Sequence, residues 1–396
     1  MQAKIIKTET EYDQALVRID ELMDATPDTP QGDEFELLVT LVELYEAKEY
    51  AIDLPDAVSA IKFRMEQQGL KQKDLVPYIG SKSKVSEVLA GKRPLSLSMI
   101  RKLHAELGIP AAVLLQNQGA DLPVIPDGLE WQGFPLAEML NRKWINFKGT
   151  LAKAKEHAEE LLAAWAAPLG ADALQPTLLK QHIRGRNNGN PYSLTAWRIR
   201  VSLLALEQDI PVYASGTVDR GFMSDLVKLS YLANGPLLAK EFLLKNGIHF
   251  IVEPHLKTTH LDGAAMRLPS GAPLVALTTR HNRLDNFWFT LCHELAHLSL
   301  HLDNNDWFLF LDDLDCLEEN GVENEADSFA SEVLIPPDKW RESGLDGAST
   351  TAEVKSFAES QRIHPAIPAG RIRREQNNYK LLTRLIGNGE VRKLFS

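Results

Sequence analysis

Apolar residues recur at helical spacing through most of the chain. Tyr12, Leu16, Ile19 and Leu22 form one stripe, and Phe35, Leu38, Val39 and Val42 form a second. A turn-rich break over 26–32 separates them, which predicts a helical hairpin. Residues 55–117 read as a compact bundle of short helices. Residues 118–148 carry Gly119, Pro123, Pro126, Gly128, Gly133 and Pro135 among mixed aromatics, the composition of an inter-domain connection. Helical spacing returns over 149–166 and 192–207, on either side of a polar, glycine-rich stretch at 184–190. From about residue 209 the pattern changes. Short apolar runs at 248–252 and 274–277 predict strands, and helices return toward the C-terminus. The expected fold class is mainly α with a smaller α+β part.

Composition is ordinary for a globular chain, with 44% hydrophobic and 24% charged residues. The 396 residues are enough for two or three domains at ~150 residues each. The two cysteines, Cys292 and Cys316, exclude a disulfide framework and point to a reducing compartment. The opening MQAKIIKTET has no apolar run of the signal-peptide kind. No segment approaches the ~18 apolar residues of a membrane span. A cytoplasmic protein without membrane contact is expected.

The net charge of −11 argues mildly against nucleic acid, but the charge is segregated. Residues 9–56 hold fifteen acids against Arg18 and Lys48. Residues 61–102 hold ten bases against Glu66, Asp74 and Glu87. A basic island in an acidic chain has to be read locally. The acidic hairpin itself reads as a packing and dimerisation arm.

Within the island, a helix over 57–68 is closed by Gly69. A second short helix ends at Gly80, and Pro77 inside it removes a donor, so that helix should be shortened. Ser81 can cap a third helix that stops at Gly91. Val85, Val88 and Leu89 share one face of it and would seat it on the bundle. Lys82, Ser83, Lys84, Ser86 and Glu87 point elsewhere. A helix with a buried stripe and a face of Lys and Ser suits major-groove insertion. Ser81, Lys82, Ser83, Lys84 and Ser86 can reach base edges or phosphates, while Lys71, Lys73, Lys92 and Arg93 can hold the backbone. The segment GSKSKVSEVLAGKRPLSL resembles the recognition-helix region of Cro/repressor-like helix-turn-helix proteins, and residues 1–117 resemble antitoxins of the HigA type. The resemblance implies operator DNA as one partner and an mRNA-cleaving toxin of the HigB type as another. A module this small binds DNA weakly alone, so a homodimer is expected.

The sharpest chemical signal is Cys-His-Glu-Leu-Ala-His at 292–297. His293 and His297 lie four apart on one helix face and can hold one ion. Glu294 is close enough to take a proton from water at that ion. Residues 285–302 contain no Gly or Pro, as a helical site requires. A catalytic zinc needs a third protein ligand and an open fourth position. Residues 322–335 predict a second amphipathic helix, stopped by Pro336 and Pro337. Glu323 and Asp327 share a face of it, so Glu323 can ligate while Asp327 orients a ligand histidine. This arrangement resembles the gluzincin peptidases. Glu325 is the second choice of ligand. A metzincin third histidine is excluded, because position 303 is Asp and position 300 is Leu.

The larger block resembles the ImmA/IrrE metallo-endopeptidases. It matches through LDGAA at 261–265, the run at 277–302 and ENEADSFASEVLIPPDKW at 323–340, and more weakly through 363–375. The resemblance implies a zinc peptidase fold with a small sheet whose edge strand holds an extended peptide, and the strand over 273–279 is the expected edge. It also implies limited proteolysis of a regulatory protein, commonly a helix-turn-helix repressor. With a repressor-like module in the same chain, self-cleavage within 118–150 is a further expectation. His301 continues the histidine stripe but drifts ~40° per four-residue step, which places it beyond the ligands or at the surface. His260 is a candidate for oxyanion stabilisation. Cys292 is expected to pack in the core, and the acidic stretch around Cys316 to be a solvated loop.

The expected organisation is therefore an acidic helical arm (1–54), a helix-turn-helix DNA-binding domain (55–117), a connection with linker helices (118–208), a zinc peptidase domain (209–340) and a C-terminal helical extension (341–396). The function expected is a DNA-binding regulator or antitoxin whose peptidase domain cleaves a regulatory protein or itself. The alternative is a non-catalytic antitoxin and autorepressor, with the metal domain as sensor or docking surface.

Overall fold

The computed structural model describes residues 5–49, 54–116, 129–175, 190–257, 259, 261–303, 309–312 and 321–395. The chain divides into two compact units, Met1–Pro123 and Val124–Ser396.

The first unit opens with the hairpin of α1 (Glu9–Glu21) and α2 (Pro30–Glu49). Ala15, Leu22, Leu38 and Val42 form its buried seam, and Tyr12 stacks on Tyr45 with ring centroids 5.0 Å apart. Five short helices follow: α3 (Ala57–Gln68), α4 (Val76–Ile79), α5 (Lys82–Leu89), α6 (Leu97–Leu107) and α7 (Ala111–Leu115). Ile61, Leu75, Val85 and Leu103 are fully buried at their centre. Gly69 ends α3 at φ +64, a left-handed conformation that favours glycine. The segment around Pro77 is a 3₁₀ turn, Gln72–Leu75, followed by the single turn of α4. Pro77 sits in the first turn of α4, where its missing N–H has no intrahelical partner to lose.

The second unit is built on a four-stranded sheet of order β1-β3-β2-β4. The strands are β1 (His249–Val252), β2 (Gly263–Arg267), β3 (Pro273–Leu277) and β4 (Leu309–Asp312). β1 and β3 run parallel, with His249 opposite Leu274. β2 is antiparallel to both β3 and β4, with Gly263 opposite Leu277 and Asp312. The expectation of an edge strand at 273–279 is therefore wrong. β3 has a neighbour on each side and every residue of it is buried, so its backbone groups are spent on ladders. Its continuous apolar run is the pattern of an inner strand covered on both faces.

Side chains alternate across this sheet. Phe250, Ala265, Val275 and Leu277 face one core; Ile251, Ala264, Met266, Leu274 and Ala276 face the other. The second of these cores is completed by α8 (Leu136–Asn141), α10 (Ala158–Ala166) and α11 (Pro191–Leu206), with α9 (Leu151–Glu156) packed on α8 and α10. Phe134, Leu136, Met139, Trp144 and Ile145 are buried there. The part of 118–148 that is described, 129–148, is thus the covering layer of the sheet rather than an open connection, and residues 117–128 lie outside the described residues. The opposite face carries α12 (Arg220–Lys228), α13 (Gly235–Lys245), α14 (Leu284–His297) and α15 (Gly321–Leu334). Helices α16 (Pro337–Ser343), α17 (Thr351–Gln361) and α18 (Ala366–Glu375) close the unit. Among the described residues, no helix is long and apolar enough to cross a membrane.

Candidate metal centre and helix-turn-helix segment

Helix α14 runs through the core of the second unit and contributes Phe287, Trp288, Leu291, Cys292 and Leu295 to it. Its polar residues are as buried as its apolar ones: His293, Glu294 and His297 are at 0% exposure. Helix α15 packs alongside and buries Glu323 through the same stripe as Ala326 and Ala330. Glu323 Oε2 lies 3.3 Å from His293 Nε2 and 3.5 Å from His297 Nε2, and the two imidazole nitrogens are 3.0 Å apart. Three atoms, each with a lone pair to offer, therefore converge in a space closed to solvent. Donors ~2.0 Å from a tetrahedral ion are separated by about 3.3 Å. The triad matches that spacing, and two nitrogens with a carboxylate form a suitable donor set.

The ligand atoms are held from behind. His293 Nδ1 lies 2.9 Å from Asp327 Oδ1, and Asp327 Oδ2 accepts from Arg374 Nη2 of α18 at 2.8 Å. The Arg374 guanidinium lies over the Phe289 ring at 4.6 Å, and Phe289 stacks beside His293. His297 Nδ1 faces His301 Nδ1 at 3.1 Å, and His301 Nε2 faces Glu325 Oε2 at 3.3 Å. Desolvation first, and then the neighbouring His297, push the His301 imidazole below its ordinary value. Glu325 is exposed and reaches His301, while the triad takes Glu323.

Glu294 is aimed at β2. A Cβ built on Gly263 would stand 2.1 Å from Glu294 Oε1 and 2.9 Å from Thr290 Cγ2, so only glycine leaves room for the carboxylate. A cavity of about 320 Å3 lies at the N-terminal half of α14, lined among others by Asn286, Phe289, Leu334, Ile367 and Arg374. Sequence reasoning did not single out Gly263, Phe289 or Arg374. A glycine inside a strand, in LDGAA, is a signal of close approach that would have found the first. Arg374 and Phe289 carry no such signal, because only tertiary packing brings α18 onto α14. Cys292 is buried and free, and desolvation pushes its thiol up. His260 and Cys316 lie outside the described residues.

In the first unit, Ser81 accepts from the Lys84 N–H and so caps α5. Val85 and Val88 are buried and seat the helix. Lys71, Lys73, Ser81, Lys82, Ser83, Ser86 and Lys92 are exposed, and Lys84 and Arg93 are half-buried. Arg93 Nε donates to Glu87 Oε2 at 2.6 Å, and Ser83 Oγ donates to Glu87 Oε1 at 3.2 Å. Glu87 thus ties α5 to the turn that follows it, and the arginine is presented in a fixed position.

Comparison with known proteins agrees with this division. Residues 247–360 match the model of the IrrE N-terminal-like domain of the peptidase M78 family. The N-terminal part is 37% identical over 115 residues to antitoxin HigA of Escherichia coli K12, covering 28% of this chain and 83% of that protein. The HigA proteins of E. coli O6:H1 and Shigella flexneri match to the same extent. The chain belongs to the HigA antitoxin family. It is a HigA-like helix-turn-helix regulator fused to an IrrE N-terminal-like domain. The latter spans β1 into α17, so His293, Glu294, His297, Glu323 and Asp327 all fall inside it. Arg374 lies beyond it.

Proposed function

We propose that this HigA-family protein is a DNA-binding antitoxin and autorepressor whose second unit is a zinc-dependent endopeptidase. The observation that carries the enzymatic half is Glu294, fully buried next to three ligating side chains and accommodated by Gly263. A structural zinc site has four protein ligands and no use for an adjacent acid. His293, His297 and Glu323 would hold the ion. When bound, zinc supplies Lewis-acid polarisation of a peptide carbonyl and of the attacking water. Glu294 takes the proton of that water on its carboxylate and delivers it to the leaving amine. Asp327 holds the His293 ring by its Nδ1–H, and Arg374 holds Asp327 in place. The cavity beside Phe289 receives a substrate side chain.

Operator DNA meets α5 and the bases around it, with the protein as a homodimer. A toxin is the second protein partner, and a repressor or this chain itself is the peptide substrate. Cleavage inside 134–145 would require unfolding of the covering layer, since Phe134, Leu136, Met139, Trp144 and Ile145 are buried. The test begins with metal content. Roughly one zinc per chain, lost in His297→Ala and in Glu323→Ala, is expected. Purified wild-type protein and Glu294→Gln are then incubated with the toxin, a helix-turn-helix repressor, or alone, and new termini are mapped. Identical fragments from both proteins would overturn the peptidase assignment.

The HigA relationship supports a second reading, in which toxin neutralisation needs only direct binding. Operator and toxin affinity unchanged in Glu294→Gln is expected of both readings. A zinc-loaded protein that cleaves nothing would leave the second.

A further inference from the structure

Directly after His297 the chain leaves α-helical geometry, and Leu298–Leu302 forms a π-turn. In a regular α-helix four residues overshoot a full turn by about 40°, which would carry His301 off the stripe of His293 and His297. A π-turn closes i→i+5 and takes more residues per turn, so the overshoot is cancelled. The His301 ring comes back against His297, with centroids 5.2 Å apart, and is buried. Glu325, two residues on from the triad's own Glu323 and on another side of α15, closes the line from the far side.

We propose that His301 and Glu325 form a positioning relay that fixes the tautomer and orientation of the His297 ligand. The proposal rests on the zinc reading above. The direction of each hydrogen bond follows from the chemistry. A ligating His297 must offer the Nε2 lone pair, so its proton sits on Nδ1 and is donated to His301 Nδ1. His301 then carries its own proton on Nε2 and donates it to the Glu325 carboxylate. The line Glu325–His301–His297 thus has one consistent set of tautomers, with Nε2 of His297 left open toward Glu323 and His293. The two ligand histidines are supported differently. His293 meets the carboxylate of Asp327 directly, and His297 meets one through an intervening imidazole.

The test is zinc affinity of the full chain, measured by competition with a chromophoric chelator, together with the visible spectrum of the Co2+ form. Loss of a hydrogen bond behind a ligand costs roughly 10–100-fold in metal affinity. His301→Phe keeps the ring and its packing but removes acceptor and donor, and a loss in that range is expected. His301→Gln restores one acceptor and one donor and is expected to stay within about threefold of wild type. Glu325→Ala is exposed and carries little folding risk; a smaller loss is expected. In the His301→Phe background Glu325→Ala should add nothing, because the relay is already cut. Wild-type affinity and an unaltered Co2+ spectrum in His301→Phe would overturn the relay. Equal losses in His301→Phe and His301→Gln would also overturn it, since only packing would then explain them. If the wild-type protein bound no zinc at all, the metal reading itself would fail, and that result is distinct from either of these.

Discussion

Gly263→Ala is the sharpest perturbation the site offers. The added methyl would lie 2.1 Å from Glu294 Oε1, 2.8 Å from Glu294 Cδ and 2.9 Å from Thr290 Cγ2. Ordinary contact begins near 3.4 Å, so the carboxylate has to retreat by about 1.3 Å. Glu294 has no solvent to retreat into, and both obstructing side chains belong to α14, which also carries His293 and His297. Overpacking of this kind costs about 1–3 kcal/mol. At roughly 2–4 °C per kcal/mol for a unit of this size, the melting midpoint should fall by about 2–12 °C. The displacement also exceeds the 1 Å misplacement that can cost on the order of 100-fold in rate. Zinc affinity, which depends on Glu323 and the two histidines, should stay within about threefold.

The assay is a melting curve of the zinc-free protein, a chelator competition and, with a substrate in hand, kcat. Gly247→Ala is the control. Its Cβ would stand 2.7 Å from the Tyr213 backbone, away from Glu294 and the cavity. It should lower stability and spare catalysis. A Gly263→Ala protein that melts and cleaves like wild type would refute the placement of Glu294 against β2.

Three further outcomes are expected. Chelation of zinc from a protein held at ~1,000 times its Kd should remove about 4 kcal/mol and lower the midpoint by roughly 8–16 °C; an unmoved midpoint would remove the metal from the folding of this unit. If Lys84 contacts a phosphate, Lys84→Ala should weaken operator binding across sequences and reduce the slope of log K against log salt by about 0.9; an unchanged slope would take Lys84 off the backbone. Desolvation depresses the His364 and His249 imidazoles below their ordinary value of 6.5. The unfolded chain therefore takes up their protons first, so stability is intact above pH 6.5 and declines as pH falls through 6.5 toward the depressed folded values. His364 Nδ1 also accepts from the Ala366 N–H, and His364→Asn should flatten the acid side of the urea-midpoint profile; the same profile in both proteins would count against this.

What the sequence revealed depended on how local the cause was. Gly69, Gly80, Ser81 and Gly91 mark helix ends through their own backbone or side chain, so the short helices of the first unit were legible residue by residue. The pairing of His293 with His297, and of Glu323 with Asp327, follows from helical repeat alone. The same repeat placed His301 beyond the ligands or at the surface, and it lies behind His297, buried rather than at the surface; the repeat did not show that the helix leaves α geometry there. The π-turn at 298–302 is a tertiary outcome that Ser-Leu-His-Leu does not announce. Periodicity over 149–166 and 192–207 gave helices with an apolar face but not what that face meets. It meets the sheet, which is why Gly133 and Pro135 lie in a packed layer, while β3 is inner because β1 and β2 flank it. A short apolar strand is compatible with an edge or a centre, and only its neighbours decide.

The second unit concentrates an electrostatic burden that packing alone does not explain. Glu294 and Glu323 are buried with His293, His297 and His301 in an otherwise apolar core, and Asp327 is half-buried beside them. Burying such groups is unfavourable unless each is paired, and apolar residues of similar size would serve stability as well. Asp327 is balanced by Arg374, itself anchored on Phe289. Glu323, His293 and His297 would be balanced by a shared cation. Glu294 is not needed for either balance, yet β2 gives up a side chain at Gly263 to admit it. A fold that needed zinc only as a clamp would gain from an apolar residue at 294 and an alanine at 263. A buried acid beside the candidate ligands, together with a glycine that makes room for it, favours the proposed chemistry on a bound peptide over merely holding an ion.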